Sequence, residues 1–139
     1  MTAQTRREAL DWLAEAKNDL KRAQRALQHR DHAHACFMSQ QACEKALKAL
    51  HIALLRTTPP RTHDLTQLHH QLPDRAKLPA PTADTLVEVS QYYVTARYPN
   101  VGLQRPSESI TRTQATRALQ VAETTVKHAE NLLEVLMNG

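Results

Sequence analysis

The sequence predicts an all-α protein, an up-and-down antiparallel bundle of four main helices and one short helix. Only two glycines occur in 139 residues, and the chain is rich in helix formers such as Ala, Leu, Gln, Glu, Lys and Arg. No stretch alternates apolar and polar residues for long enough to predict a strand. Because aromatic residues make up only 4% of the chain, the core must be built from Ala and Leu at close helix spacing, which favours a bundle.

The length fits a single domain, which we assign to residues 1–139. The first helix is predicted over residues 5–27, with core-facing positions at Leu10, Leu13, Ala16, Leu20, Ala23 and Leu27. The second is predicted over residues 31–55, with Asp31 as its N-cap. Its core-facing positions are Ala35, Phe37, Cys43, Ala46, Leu47, Leu50 and Leu54. Pro59 and Pro60 are expected to stop it, because proline lacks the backbone donor that a helix needs.

Three further helices follow the prolines. A short one over residues 65–72 begins after an N-cap at Thr62 or Asp64. The next covers residues 82–96, with core-facing positions at Leu86, Val89, Tyr93 and Ala96. The last covers residues 111–137, with heptad-like core positions at Leu119, Ala122, Val126, Ala129, Leu133 and Leu136. The segment 98–109 is the longest irregular stretch, and it is predicted to be a mobile or functional loop.

The charge balance and the cysteines limit the function classes. The net charge of +4 and the pI near 9.3 indicate a generic solvated surface rather than a dedicated nucleic-acid footprint. No apolar run approaches eighteen residues and no signal-peptide core is present, so we expect a soluble cytoplasmic protein without membrane contact. Cys36 and Cys43 are about 10 Å apart along one helix, too far for a disulfide. Buried free thiols are therefore predicted.

Four motifs in sequence order resemble those of a known family. They are Trp12-Leu13-x-x-Ala16-x-x-Asp19-Leu20, Gln40-Gln41-Ala42-x-Glu44-Lys45-Ala46-Leu47-Lys48-Ala49, Thr62-His63-Asp64-Leu65 and Tyr93-x-x-x-Arg97-Tyr98-Pro99. Together they resemble the HEPN domain, a helical domain of nucleotide-binding type found beside minimal nucleotidyltransferases in prokaryotes. The resemblance covers nearly the whole chain.

The resemblance implies an up-and-down helical bundle that forms a homodimer. It also implies a minimal nucleotidyltransferase as protein partner, in a toxin–antitoxin-like pair. Many HEPN proteins are metal-independent ribonucleases with an Arg-x(4–6)-His motif in a site shared across the dimer. The signature carboxylates of a nucleotidyltransferase are absent from this chain, so any transferase activity must come from the partner.

The sequence departs from the ribonuclease motif. Arg97 occupies the position of the motif arginine, but positions 102–104 are Gly, Leu and Gln, so the histidine is missing. Arg56 and His63 fit an Arg-x6-His spacing, yet they span the two prolines instead of opening a helix. The catalytic candidates are therefore Arg97, His63 and Arg56, and the question of enzymatic activity stays open.

The candidate residues have defined chemical roles in either function. Attack by an RNA 2′-hydroxyl needs a base, which His63 could supply near neutral pH, and a cation over the developing phosphorane charge. Arg56, Arg61 or Arg97 could hold a phosphate with two parallel hydrogen bonds. The alternative, which we favour, is that Thr62, His63 and Asp64 mainly cap a helix N-terminus.

The remaining candidates for nucleotide or RNA binding, besides Arg61, are Tyr98, Tyr92, Glu44 and Asp64. Glu44 could be buried and pair with Arg97, or it could form only a solvated pair with Lys48. Tyr93 is expected in the core and Tyr98 on the surface, where a tyrosine could stack on a base or accept nucleotidylation. His29, His32 and His34 lack the thiolates and carboxylates of a closed metal site, so neither a metal nor a cofactor is predicted.

Three functions from different classes follow. The preferred one is a homodimeric HEPN module that docks a minimal nucleotidyltransferase and binds nucleotide or RNA. The second is a HEPN endoribonuclease toxin, and the third is a purely structural dimeric bundle. The first is preferred because the family motifs are present while the nuclease motif is broken.

Overall fold

The computed structural model describes residues 1–99 and 105–138, and this part of the chain contains helices and no strand. The helices are α1 (Ala3–Gln28), α2 (His32–Leu50), α3 (Leu65–His70), α4 (Ala80–Thr95), α5 (Pro106–Ser109) and α6 (Arg112–Asn138). The predicted all-α bundle of four main helices is confirmed, with a second short helix, α5, that the sequence does not predict. The predicted loop 98–109 falls partly on residues 100–104, which lie outside the described residues.

The four long helices alternate in direction. A short turn reverses the chain between α1 and α2. The guanidinium of Arg6 donates to the Met137 carbonyl, so the start of α1 lies beside the end of α6. At the other end of the bundle Arg117, early in α6, pairs with Glu88 in α4 at 2.6 Å. His128, later in α6, contacts Ala76, just before α4 begins, and α4 therefore runs antiparallel to α6.

The core is made mostly of small residues around α2. Between Ala35 and Leu50, α2 is buried on most of its surface, because α1, α4 and α6 all pack on it. The predicted placement of Leu10 in the core is wrong, since its side chain is 42% exposed. The buried stripe of α1 begins one position earlier, at Ala9, and continues through Leu13. Alanine at this position lets α1 approach α2 closely.

Helix α4 also differs from the prediction by one position. Tyr92 is buried and Tyr93 lies at the margin of the core. Burial raises the pKa of Tyr92, so its hydroxyl stays protonated, and it donates to Glu88 Oε1 at 3.1 Å. A buried tyrosine needs such a partner for its hydroxyl group. Tyr93 is thereby left at the edge of the bundle, where it faces Phe37 of α2.

The second helix ends in an unusual way. A π-helical turn, His51–Leu55, extends α2 to the predicted end, and Arg56 closes it with a left-handed backbone at φ 54°. This residue, rather than the later prolines, therefore terminates the helix. Within the π turn His51 is buried, and its Nε2 donates to the Leu68 carbonyl at 2.7 Å. That bond fastens α3 to the end of α2.

Two predictions about the surface and the thiols concern described residues. Cys36 and Cys43 are buried and unpaired, as predicted. Burial raises the pKa of both thiols to about 12, so both are protonated and unreactive near neutral pH. No helix in the ranges 1–99 and 105–138 is long and apolar enough to cross a membrane.

The connection between α3 and α4 is fastened by two histidines and a lysine. His69 Nε2 accepts a hydrogen bond from the Leu78 backbone N–H at 2.9 Å, so this imidazole is neutral and its proton is on Nδ1. His128 Nε2 donates to the Ala76 carbonyl at 2.7 Å. Lys77 Nζ donates to the carbonyl of His69 at 3.0 Å. The connection thus depends on His69 remaining unprotonated.

This arrangement predicts an acid-sensitive stability. Burial, followed by the nearby charges of Lys77, His128 and His70, lowers the pKa of His69 below its ordinary value of 6.5. The unfolded chain takes up this proton at about pH 6.5 while the folded protein resists it, so the free energy of unfolding should fall as the pH drops below that value. Urea unfolding at a series of pH values measures the effect.

A glutamine at position 69 keeps an acceptor for the Leu78 N–H but cannot titrate. We therefore expect His69→Gln to flatten the loss of unfolding free energy between about pH 7 and about pH 5. The matched control is His70→Gln, on the exposed side of the same helix, which should retain the wild-type slope. A wild-type slope in His69→Gln would contradict the assignment.

Candidate functional site

The site is built around a carboxylate on the buried face of α2. Glu44 is only 5% exposed, and three side chains donate to it. Lys48 Nζ reaches Oε2 at 3.0 Å, and His63 Nδ1 and Gln40 Nε2 reach Oε1 at 2.9 and 3.2 Å. Helical spacing explains two of the donors, because Gln40 and Lys48 lie one turn on either side of Glu44. The third comes from the segment that precedes α3.

His63 is held in three ways. Its Nδ1 is bonded to Glu44, and its backbone carbonyl accepts from Gln40 Nε2 at 3.0 Å. Gln41 Nε2 donates to Gln40 Oε1 at 2.7 Å, which fixes the orientation of that amide. The imidazole also stacks on the Tyr93 ring, with centroids 3.7 Å apart and planes inclined by 17°. Half of the His63 side chain remains exposed.

Arg97, just beyond the end of α4, lies among three aromatic rings. Its Cζ is 4.3 Å from the centroid of Tyr93, 4.7 Å from that of Phe37 and 4.8 Å from that of Tyr98. Its Nε donates to the Tyr93 carbonyl at 2.6 Å. Guanidinium groups stack on aromatic faces in this way because the ring quadrupole attracts the cation. The Tyr93 ring consequently contacts both His63 and Arg97, and it joins the two into one cluster.

A cleft of about 410 Å³ opens beside this cluster, between the start of α3 and residues 90–95 of α4. His63 and Asp64 line one side of it. The Leu65 N–H donates to Ser90 Oγ at 3.0 Å, so α3 is attached to α4 across the cleft. Asp64 caps α3 by accepting from the Thr66 and Gln67 N–H groups. The predicted N-cap is therefore confirmed at Asp64.

The structure gathers only some of the predicted site residues. Glu44, His63 and Arg97 form the cluster with Tyr93, Tyr98 contacts Arg97, and Asp64 lines the cleft. The expected pairing of Glu44 with Arg97 is not formed, because His63 and Lys48 occupy the carboxylate. The pair with Lys48 is buried rather than solvated, since Lys48 is only 7% exposed.

Three candidates lie apart from the cluster. Arg56 is exposed at the left-handed end of α2, and Arg61 is exposed five residues later. Within residues 1–99 and 105–138, neither guanidinium has a hydrogen bond or ion pair to the cluster. Tyr92 is 4% exposed in the core, where its hydroxyl is bonded to Glu88, and it is not presented to the cleft. The Arg-x6-His spacing of Arg56 and His63 thus does not correspond to a contact between them in the described structure.

Sequence reasoning misses two members of the cluster. It assigns Tyr93 to the core and Phe37 to the buried line of α2, although both support Arg97. A signal for Tyr93 is present, since it precedes Arg97 by four residues and therefore shares its helix face. No comparable signal exists for Phe37, because its proximity depends on how α2 packs against α4.

The positive charge of the protein is concentrated at one end of the bundle. This end is formed by the C-terminal ends of α1 and α4 and the N-terminal ends of α2 and α6. Its exposed basic residues are Lys21, Arg22, Arg25, Arg30, Arg97, Arg105, Arg112 and Arg117. Glu88 and Glu108, acidic residues of the same region, are already paired with Arg117 and Arg105. The hydrogen bond from Arg117 lowers the pKa of Glu88, so that carboxylate stays ionised.

This geometry suits an anionic ligand better than a metal ion. No group of three His, Cys, Asp or Glu side chains that could hold a metal ion occurs among the residues that the structure describes. The cluster instead offers a guanidinium supported by aromatic rings, a half-exposed imidazole and a surrounding excess of arginine. These groups recognise phosphates, sugars and bases.

Comparisons with known proteins identify the fold. The family model of the HEPN domain matches residues 9–136. The crystal structure of TT1696 from Thermus thermophilus is 34% identical in sequence with a TM-score of 0.80, over 89% of this chain and 97% of that one. The structure of ST0689, an archaeal HEPN homologue, is 27% identical with a TM-score of 0.75, over 91% of this chain and 98% of that one. Curated proteins give no match. The chain therefore belongs to the HEPN domain family.

Proposed function

We propose that this protein is a HEPN assembly module that binds RNA or a nucleotide at the Glu44–His63–Tyr93–Arg97 cluster. One observation carries the proposal, namely the guanidinium of Arg97 held among the rings of Tyr93, Phe37 and Tyr98. With Nε engaged by a backbone carbonyl, the terminal nitrogens are oriented for a phosphate. The exposed ring of Tyr98 provides a stacking surface next to it.

The charge distribution supports this proposal. The net charge of +4 alone indicates only a solvated surface, but the basic residues are concentrated at the end of the bundle that contains Arg97. Seven of the eight exposed basic side chains at that end are arginine. Arginine binds phosphate with two parallel hydrogen bonds and also stacks on bases, whereas lysine does neither.

The proposal also includes a protein partner. As a HEPN module, the chain is proposed to form a homodimer and to bind a minimal nucleotidyltransferase in a toxin–antitoxin-like pair. The outer side of α4 supports such contacts because Val87 and Val94 are 52% and 38% exposed, with few charges between them. Exposed apolar positions that share a helix face are common where proteins associate.

A second candidate function is RNA cleavage. It is favoured by the contact of both His63 and Arg97 with the Tyr93 ring, which puts a potential base and a phosphate-binding cation in one site. The Arg-x(4–6)-His spacing is nevertheless broken in this chain. We therefore place cleavage second, and a purely structural role third.

The RNA-binding proposal predicts the behaviour of Arg97 variants. We expect Arg97→Ala to weaken the binding of a fluorescein-labelled single-stranded RNA by about tenfold, because a charge-assisted contact is lost. Arg97→Lys should lose nearly as much, since an ammonium group cannot stack or bind in the bidentate manner. Fluorescence anisotropy at two salt concentrations measures both affinities.

The control for that experiment is Arg7→Ala, which removes an exposed arginine at the opposite end of α1. It should leave the affinity within about twofold of wild type, because screened charges far from the ligand contribute little. Equal losses in Arg7→Ala and Arg97→Ala would indicate nonspecific attraction. That result would remove the support for a site at Arg97.

The partner proposal predicts a stable complex. Co-expression with a nucleotidyltransferase encoded by the adjacent gene should give one species in size-exclusion chromatography with light scattering. Alone, the chain should have twice its monomer mass of 15.7 kDa. We expect Val87→Glu to disrupt at least one of these associations, because a charge would be buried in the contact. A monomer that does not co-purify with that protein would contradict the proposal.

Cleavage is tested with the same purified protein. If it is a ribonuclease, single-stranded RNA should be cut without added metal, and both His63→Ala and Arg97→Ala should abolish cutting while circular dichroism stays helical. Intact RNA at micromolar protein would exclude cleavage by the protein alone. That outcome would leave the binding proposal unaffected, because affinity is measured separately.

A further inference from the structure

The side chain of His63 is not needed to cap α3. The cap is complete without it, because the Asp64 carboxylate accepts from the N–H groups of Thr66 and Gln67 at 3.0 and 3.3 Å. The Asp64 N–H itself donates to Thr62 Oγ1 at 3.1 Å. The restraints on the His63 imidazole therefore call for another explanation.

The contact with Glu44 fixes the tautomer of His63. A carboxylate only accepts hydrogen bonds, so Nδ1, at 2.9 Å from Oε1, must carry the proton. The charge of Glu44 is already balanced by Lys48, whose Nζ lies 3.0 Å from Oε2. A neutral imidazole is thus sufficient to complete the site. In that state Nε2 is the nitrogen with a free lone pair, and it is a hydrogen-bond acceptor.

The position of Nε2 is fixed as well as its chemistry. The His63 carbonyl is bonded to Gln40 Nε2 at 3.0 Å, and the ring is stacked on Tyr93 at 3.7 Å. These contacts restrain the backbone and both side-chain torsions. No residue in the ranges 1–99 and 105–138 hydrogen-bonds to Nε2, and the side chain is 50% exposed. An acceptor fixed in this way at the edge of a cleft is suited to bind a hydroxyl group of a ligand.

We propose that His63 is a specificity-determining residue whose Nε2 accepts the 2′-hydroxyl of bound RNA, and that Glu44 is its positioning residue. The cleft next to His63, of about 410 Å³, has the size of small-ligand sites and can hold one sugar. The 2′-hydroxyl is the group by which a protein distinguishes RNA from DNA. The choice of ligand rests on the proposed RNA binding, whereas the tautomer of His63 does not.

Strands that differ only in the 2′ substituent test the specificity. We would compare an RNA, a 2′-fluoro strand that keeps an RNA-like shape but cannot donate, and a deoxyuridine-containing DNA of the same sequence. Wild-type protein should bind the RNA about fivefold more tightly than the 2′-fluoro strand, the factor expected for one hydrogen bond. Fluorescence anisotropy at constant salt gives the ratio directly.

The matched variant is His63→Asn. Its amide can still donate to Glu44 from a position close to that of Nδ1, but it has no group at the position of Nε2. We expect the ratio between RNA and the 2′-fluoro strand to fall to about one, with affinity for the 2′-fluoro strand within about threefold of wild type. His70→Asn, on the exposed side of α3, should keep the wild-type ratio.

The positioning role of Glu44 is measured by NMR. Long-range proton–nitrogen correlations distinguish protonated from unprotonated ring nitrogens, and we expect wild-type His63 to carry its proton on Nδ1. Glu44→Gln should yield a mixture of tautomers and a reduced preference for RNA. Because Glu44→Gln leaves Lys48 buried without its partner and can unfold the protein, the double variant Glu44→Gln/Lys48→Met provides a neutral replacement.

The outcomes separate this inference from the proposed function. If the protein binds RNA but not in preference to the 2′-fluoro strand, or if His63→Asn keeps that preference, the role of His63 is overturned and RNA binding stands. A proton on Nε2 in wild type would overturn the role of Glu44. If no strand binds, the proposed function fails together with the assigned ligand, whatever the tautomer.

Discussion

The buried carboxylate of Glu44 is the constraint on which the functional end of this bundle depends. A charge that is 5% exposed is tolerated only when it is paired and hydrogen-bonded, and its partners come from two parts of the chain. Lys48 and Gln40 belong to the same helix, whereas His63 belongs to the segment before α3. Satisfying Glu44 therefore draws that segment onto α2, and the stacking of His63 on Tyr93 extends the connection to α4.

Most of the fold could be predicted from the sequence because it depends on local rules. Helix propensity, the Asp31 and Asp64 caps and the 3.6-residue period set the number and approximate bounds of the long helices. The errors at Leu10 and Tyr93 have one cause. On helices rich in alanine the apolar stripe is broad, so neighbouring positions compete for the core, and packing against α2 decides between them. Periodicity alone does not contain that information.

The site was less predictable because its contacts join residues far apart in sequence. The polar face of α2 was visible at Glu44, but its partner could be Arg97, Lys48 or neither. His63 satisfies it from 19 positions away. The net charge was misleading for a similar reason, since a value of +4 does not reveal that the exposed arginines gather at one end. That fact appears only when the helix directions are known.

The segment between α2 and α3 explains how the distant partner is delivered. From Glu44 to Leu55 the helix advances by about 17 Å, and residues 56–63 must bring the chain back over much of that length. Eight residues span about 26 Å when extended but only about 12 Å as a helix, so the return requires extended backbone. Pro59 and Pro60 favour that conformation, and the left-handed turn at Arg56 has already ended the helix. The prolines, predicted as helix stops, therefore serve mainly to keep the returning segment long enough for His63 to reach Glu44.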